Sequence, residues 1–122
     1  MSMIRILAAD DSASMRDMVQ MSLGSAGFEV TAAADGDEAL RLAAAKQFDL
    51  VLLDVHMPRR DGIEVIRALR AEPQYRNTPI LMLTTESSAD RKREGKLAGA
   101  TGWIIKPFDP AQLIATVHRV LG

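Results

Sequence analysis

A chain of 122 residues with 48% hydrophobic and 25% charged side chains has material for one packed core and too little length for two. Its net charge of −1, with both signs interspersed, excludes the one-sided excess of Lys and Arg that marks a dedicated nucleic-acid binder. Cysteine is absent, which removes disulfides, thiolate catalysis and cysteine-held zinc.

The N-terminus, MSMIRILAADDS, has too short an apolar run for a signal peptide and lacks a small-residue cleavage site. No stretch of about 18 apolar residues is present to span a bilayer. The expectation is a soluble, cytoplasmic, single domain over residues 1–122, without membrane or nucleic-acid partners.

In chain order, an apolar run over residues 3–9 ends in Asp10-Asp11. Met15, Met18, Val19 and Leu23 then recur at helical spacing. Ser12 or Ser14 is available to cap that helix, and Gly27 to close it. Residues 28–33 alternate in polarity and lead to Asp35-Gly36, which reads as a turn. A second helix is predicted near 37–46. The run 50–53 ends in Asp54, and a third helix is predicted near 62–71. Residues 80–83 end in Thr84, ahead of a helical pattern near 88–99. Residues 103–105 lead into Lys106-Pro107, and the last helix is predicted over 110–121.

Five short strands alternating with five helices make βαβ units and a parallel sheet. DLVLLD and PILMLT are apolar on both faces, as strands in the middle of a parallel sheet are. FEVTAA alternates and GWIIK is short, so both suit edges, while IRILAA reads as interior. Strand order 2-1-3-4-5 satisfies these constraints with right-handed crossovers. That is a flavodoxin-like, doubly wound α/β fold.

Ligands of such sheets bind beyond the carboxyl ends of the strands, where the order reverses. Here that point lies between strands 1 and 3. Neighbouring strands are about 4.8 Å apart, so Asp11, Asp54 and Thr84 are expected to converge, with Asp10 beside them. Lys106 starts two strands from Asp54, a gap its long side chain can bridge. Carboxylates crowded in one pocket stay ionised together only with a cation among them. Oxygen donors alone favour a hard ion, magnesium first, with manganese as a substitute. A carboxylate held against such an ion is a nucleophile towards phosphorus. Phosphoryl transfer then needs mainly charge neutralisation and positioning. The Lys106 ammonium and the Thr84 hydroxyl supply these. A single strand-end Asp is ordinarily a cap or turn residue. For Asp10 that reading stays open, since it can cap the first helix.

These residues resemble the receiver domain of two-component response regulators. The matches are Asp10-Asp11, Asp54 followed by Met57-Pro58 and Asp61-Gly62, Thr84, and Lys106-Pro107-Phe108. They span almost the whole chain. The resemblance implies that Asp54 accepts a phosphoryl group from a histidine kinase. It implies Asp11 and Asp54 as side-chain ligands of Mg²⁺, Asp10 acting through water, and the backbone carbonyl of His56 as a further ligand. Thr84 and Lys106 would contact the phosphoryl group, and the Lys106–Pro107 bond would be cis. Such a protein is a phosphoacceptor switch that assists its own phosphorylation and dephosphorylation, not an enzyme with external substrates.

GATGWIIKPFDP and LTTESS look like chemotaxis-type, CheY-like proteins. Because the chain stops after the fifth helix, the expected output is a protein contact made by a monomeric messenger. The target, for example a flagellar motor switch, would sit on the fourth helix, fifth strand and fifth helix, and a phosphatase is a further partner. A single-domain regulator outside chemotaxis, or a pseudo-receiver that signals without phosphorylation, is the alternative. A haloacid-dehalogenase-like phosphatase needs a second acid two residues after its nucleophile, which adjacent Asp10 and Asp11 do not provide. A flavodoxin-like cofactor site would set its phosphate against those same acids.

Trp103 stands where the family usually has Tyr or Phe, the aromatic that moves inward on activation; it is either that switch residue or a fixed strand residue. His56 and Glu86, two residues after Asp54 and Thr84, are positions that tune phosphoryl lifetime. Thr85 stands where a small residue is common and is expected to crowd Asp54. The fourth helix carries Arg91, Lys92, Arg93 and Lys96, with Leu97 and Ala98 as its apolar anchors and Gly95 inside it. It is expected to be the soft element of the switch. Its basic face suits a partner peptide with acidic residues around an apolar anchor.

Overall fold

Strands β1 (Arg5–Ala9), β2 (Glu29–Ala33), β3 (Leu50–Asp54), β4 (Ile80–Thr84) and β5 (Gly102–Ile105) alternate with five helices. These are α1 (Ala13–Ser25), α2 (Gly36–Ala45), α3 (Gly62–Arg70), α4 (Ala89–Ala98) and α5 (Pro110–Leu121). The computed structural model describes residues 3–85 and 89–122. All pairings are parallel and the strand order is β2-β1-β3-β4-β5, as expected from strand composition. Every side chain of β3 and β4 is buried, whereas β2 and β5 keep partial exposure.

The sheet is covered on both faces. Leu7, Val51, Leu53, Ile66 and Tyr75 pack in one core layer, and Ile6, Leu52, Leu81, Leu23 and Val117 in the other. Odd and even strand positions point to opposite faces, so each strand feeds both layers.

The helix starts are written in short polar side chains. Ser12, not Ser14 or Asp10, caps α1 by accepting from the Met15 amide. Gly27 follows the end of that helix at φ 97°, a left-handed conformation that glycine adopts without a Cβ clash. Asp35-Gly36 is more than a turn: Asp35 caps α2, accepting from the Glu38 amide at 2.8 Å, and the helix begins at Gly36. Asp61 caps α3. Asp109 and Gln112 form a reciprocal capping box at the start of α5, with Pro110 in its first turn.

One element has no counterpart in the expected pattern. A 3₁₀ turn, Pro73–Tyr75, lies between α3 and β4. Its buried Tyr75 hydroxyl donates to the carbonyls of Ala43 and Lys46 at 2.8 and 2.7 Å, satisfying the end of α2.

Candidate functional site

In-register pairing carries the functional side chains to one edge. Ala9 lies opposite both Ala33 and Leu53, Asp54 opposite Leu83, and Thr84 opposite Ile105. The residues at or just beyond these strand ends are therefore neighbours. The Lys106 amide donates to the Thr84 carbonyl at 2.7 Å, which fixes where the lysine leaves the sheet. The Lys106–Pro107 bond is cis, as the resemblance implied.

Gly62 explains why glycine follows Asp61. A Cβ there would sit 2.5 Å from the Asp54 carbonyl oxygen, so only glycine lets α3 begin this close to the end of β3.

Asp10 and Asp54 are buried, as is Thr84, while Asp11 is exposed. The three acids can each bring one carboxylate oxygen to within 4.8 Å of the others. Lys106 bridges the gap expected of it and goes further. Its Nζ lies 2.8 Å from Asp10 Oδ2 and 3.4 Å from Asp54 Oδ1. The other Asp10 oxygen accepts from the Ser12 amide at 3.0 Å. Asp54 Oδ1 also faces the His56 amide, at 3.4 Å.

Burial, and then the charge of Asp10, push the Asp54 carboxyl from 3.8 up to about 6; Lys106 and the His56 amide pull the other way. A carboxyl this uncomfortable as an anion is one that a cation would stabilise. The donor set, three carboxylates and no sulfur or imidazole among them, fits a hard dication.

Sequence reasoning missed one member of this neighbourhood. Arg16, four residues after the α1 cap, donates from Nη1 to the Asp10 carbonyl at 2.8 Å. The signal was its position one turn into α1, facing back over the end of β1.

Residues 6–118 match the response regulator receiver domain family. The chain belongs to that family. Receiver domains are the phosphoacceptor switches of two-component response regulators. This one is 52% identical to the chemotaxis response regulator CheY4 of Vibrio cholerae, with a TM-score of 0.94 over 98% of this chain and 99% of that one. It is 30% identical, with a TM-score of 0.92 and 99% of each chain covered, to the receiver domain of the sensor histidine kinase PA1611 of Pseudomonas aeruginosa, a structure with magnesium coordinated in its active-site cleft. It is 39% identical over 117 residues to the transcriptional regulatory protein PrrA of Mycobacterium tuberculosis, covering 96% of this chain. The receiver domain spans about half the length of the curated relatives it matches.

Elsewhere in the receiver domain, the imidazole of His56 is exposed, and so is Thr85. Glu86, the other position associated with phosphoryl lifetime, lies outside the described residues, as does Ser88 at the expected start of α4. Trp103 is 37% exposed, with the Lys92 ammonium 5.3 Å from its ring centre. Leu97 is not an anchor of α4: it is 80% exposed. The buried residue of that helix is Gly95, whose Cα faces the thioether of Met82 so closely that a Cβ would strike it. Among the described residues, no helix is long and apolar enough to cross a membrane.

Proposed function

We propose that Asp54 is the phosphoacceptor of this receiver domain and that a histidine kinase is its donor. The observation that carries this reading is the Lys106 ammonium lying against both Asp10 and Asp54, with Thr84 closing the same edge. Asp11 and Asp54 would hold Mg²⁺, or Mn²⁺ in its place, with the His56 carbonyl and with Asp10 acting through water. The ion, when bound, neutralises the carboxylates and the phosphoryl oxygens.

An Asp54 carboxylate oxygen attacks phosphorus in line. The new O–P bond forms as the P–N bond to the kinase imidazole breaks, and the imidazole leaves with the bond pair and takes up a proton. Lys106 meets the charge on the transferred oxygens, and the Thr84 hydroxyl donates to one of them. Asp10 has a further role here: it positions Lys106. In a separate hydrolytic step, water attacks phosphorus and gives up a proton to solvent as the O–P bond breaks with its pair staying on Asp54, returning the carboxylate and inorganic phosphate. The domain thus assists both its phosphorylation and its dephosphorylation, and a separate phosphatase would accelerate the second. His56 and Glu86 would tune the lifetime.

The output surface in this reading is α4, β5 and α5, with Trp103 as its switch aromatic. Its basic α4 face suits an acidic peptide with an apolar anchor. The likeness to CheY4 over nearly the full length of both chains supports a chemotaxis role with a flagellar motor component as target. A second reading, a receiver that works for a transcriptional output, draws on the relatives of about twice this length.

Acetyl phosphate with Mg²⁺, followed by intact mass, tests the chemistry. One phosphoryl group should be gained, and none by the Asp54→Asn or Asp54→Ala variant. Catalytic turnover of added esters, or no gain in the wild type, would reject it. Phosphorylation-dependent binding of a motor-switch segment, against phosphorylation-dependent dimerisation, separates the two outputs.

A further inference from the structure

Helix α4 carries a row of cations whose partners differ. Among the described residues, Arg91 pairs with Glu94 at 3.3 Å and Asp61 at 3.8 Å, and Arg93 with Asp90 at 3.7 Å. Among the described residues Lys92 has no carboxylate within 4 Å, and it sets its ammonium over the Trp103 indole, 5.3 Å from the ring centre. The ring quadrupole attracts a cation at this range, most strongly for Trp. The two residues come from different elements, and α4 has little else inside: its buried residue is a glycine.

The indole also borders an open groove of about 430 Å³ between β5 and α5, lined in part by Ile105, Phe108 and Ala115. It therefore stands between two environments, a cation on the α4 side and apolar surface away from it. At 37% exposure it leaves part of a large apolar ring in water, which burial would relieve.

We propose that Lys92 is a latch: its cation–π contact holds Trp103 at the surface and joins the position of α4 to the burial of the indole. Lys92 is a positioning residue, acting through Trp103. An acidic group of a partner that draws the ammonium away releases the ring, so partner charge and indole position are linked. The link to signalling rests on the reading of this face as the output surface; the latch itself does not.

Acrylamide quenching of Trp103, the sole tryptophan, tests the latch in unphosphorylated protein. If the ring were fixed, Lys92→Ala would uncover it and quenching would rise. A released ring withdraws, so the latch requires quenching to fall, with the ratio of outward to inward ring reduced about two- to five-fold. Lys92→Arg keeps a stacking cation and should restore the wild-type value. A 5-fluorotryptophan resonance, read by ¹⁹F NMR, should move for Lys92→Ala and return for Lys92→Arg. Quenching that rises or stays constant in Lys92→Ala overturns the latch. Acetyl phosphate with Mg²⁺ then addresses the output reading separately. A ring silent to phosphorylation in both wild type and Lys92→Ala defeats that reading even where the latch holds.

Discussion

Asp54 ends a strand whose side chains are all buried, and a second acid lies next to it. Burial and Asp10 together raise its carboxyl to about 6, so the metal-free folded protein keeps a proton that the unfolded chain releases near 3.8. Between those values the native state binds more protons than the unfolded one, and stability must fall as pH rises. The contribution is complete below about 3.8 and gone above about 6. A shift of this size corresponds to about 3 kcal/mol. Urea unfolding in EDTA should show it as the difference between wild type and Asp54→Asn, which cannot titrate. The variant gains relative stability from pH 4 to 7, and excess Mg²⁺ at pH 7 removes much of its advantage. Parallel pH profiles for the two proteins would contradict the assignment. Asp10 shows what sequence reading leaves open at this scale. Capping the first helix was a fair alternative for it, and only the geometry gives the cap to Ser12 and leaves Asp10 facing Lys106.

Capping residues made most elements legible. Serine, aspartate, proline and glycine act within a few residues of their own position, so their consequences are local and readable. Contacts that depend on a distant partner are not. Leu97 looks like an anchor because it is apolar, yet it faces solvent. Gly95 looks like a pure cost to the helix, yet it is where α4 meets Met82. Gly95→Ala therefore pits a gain of about 1 kcal/mol in helix propensity against overpacking of about 1–3 kcal/mol. We expect a net loss of about 1 kcal/mol. In a double-mutant cycle, Met82→Ala should make Gly95→Ala favourable, because the thioether is what the new methyl strikes. Additive effects would show that Met82 does not set the helix position. Tyr75 is the other long-range case, reaching from an unforeseen 3₁₀ turn to the end of α2. Tyr75→Phe leaves the Ala43 and Lys46 carbonyls without that hydroxyl. It should cost about 1–3 kcal/mol in urea unfolding, with the loss of protection concentrated in the last turn of α2.

Across the molecule, sheet order was readable because burial on both faces demands apolar residues along β3 up to Asp54 and along β4 up to Thr84, and edges do not. The uneven attachment of α4 was not readable, since it depends on Arg70, a residue of α3. Arg70 donates to the Gly99 carbonyl at 3.0 Å and to the Tyr75 and Thr78 carbonyls at 2.6 and 2.7 Å. Gly99 stands at φ 115°, where a Cβ would also meet the Arg70 side chain. The carboxyl end of α4 is thus tied to α3 and to the approach to β4. Towards its amino end the ties among the described residues include the longer Arg91–Asp61 pair and the Lys92–Trp103 contact. A helix held this way should open from its amino end, as local unfolding follows the sparsest contacts. Hydrogen exchange should show the amides of residues 92–97 exchanging at least about 100-fold faster than those of β3, with Gly99 and Ala100, bonded to the Gly95 carbonyl, slower than residues 92–95. Arg70→Gln should flatten that gradient by freeing the carboxyl end, while β3 keeps its protection. Amides of 92–97 as slow as those of β3 would mean that α4 is a rigid part of the core, and that the switch has to be sought in another element.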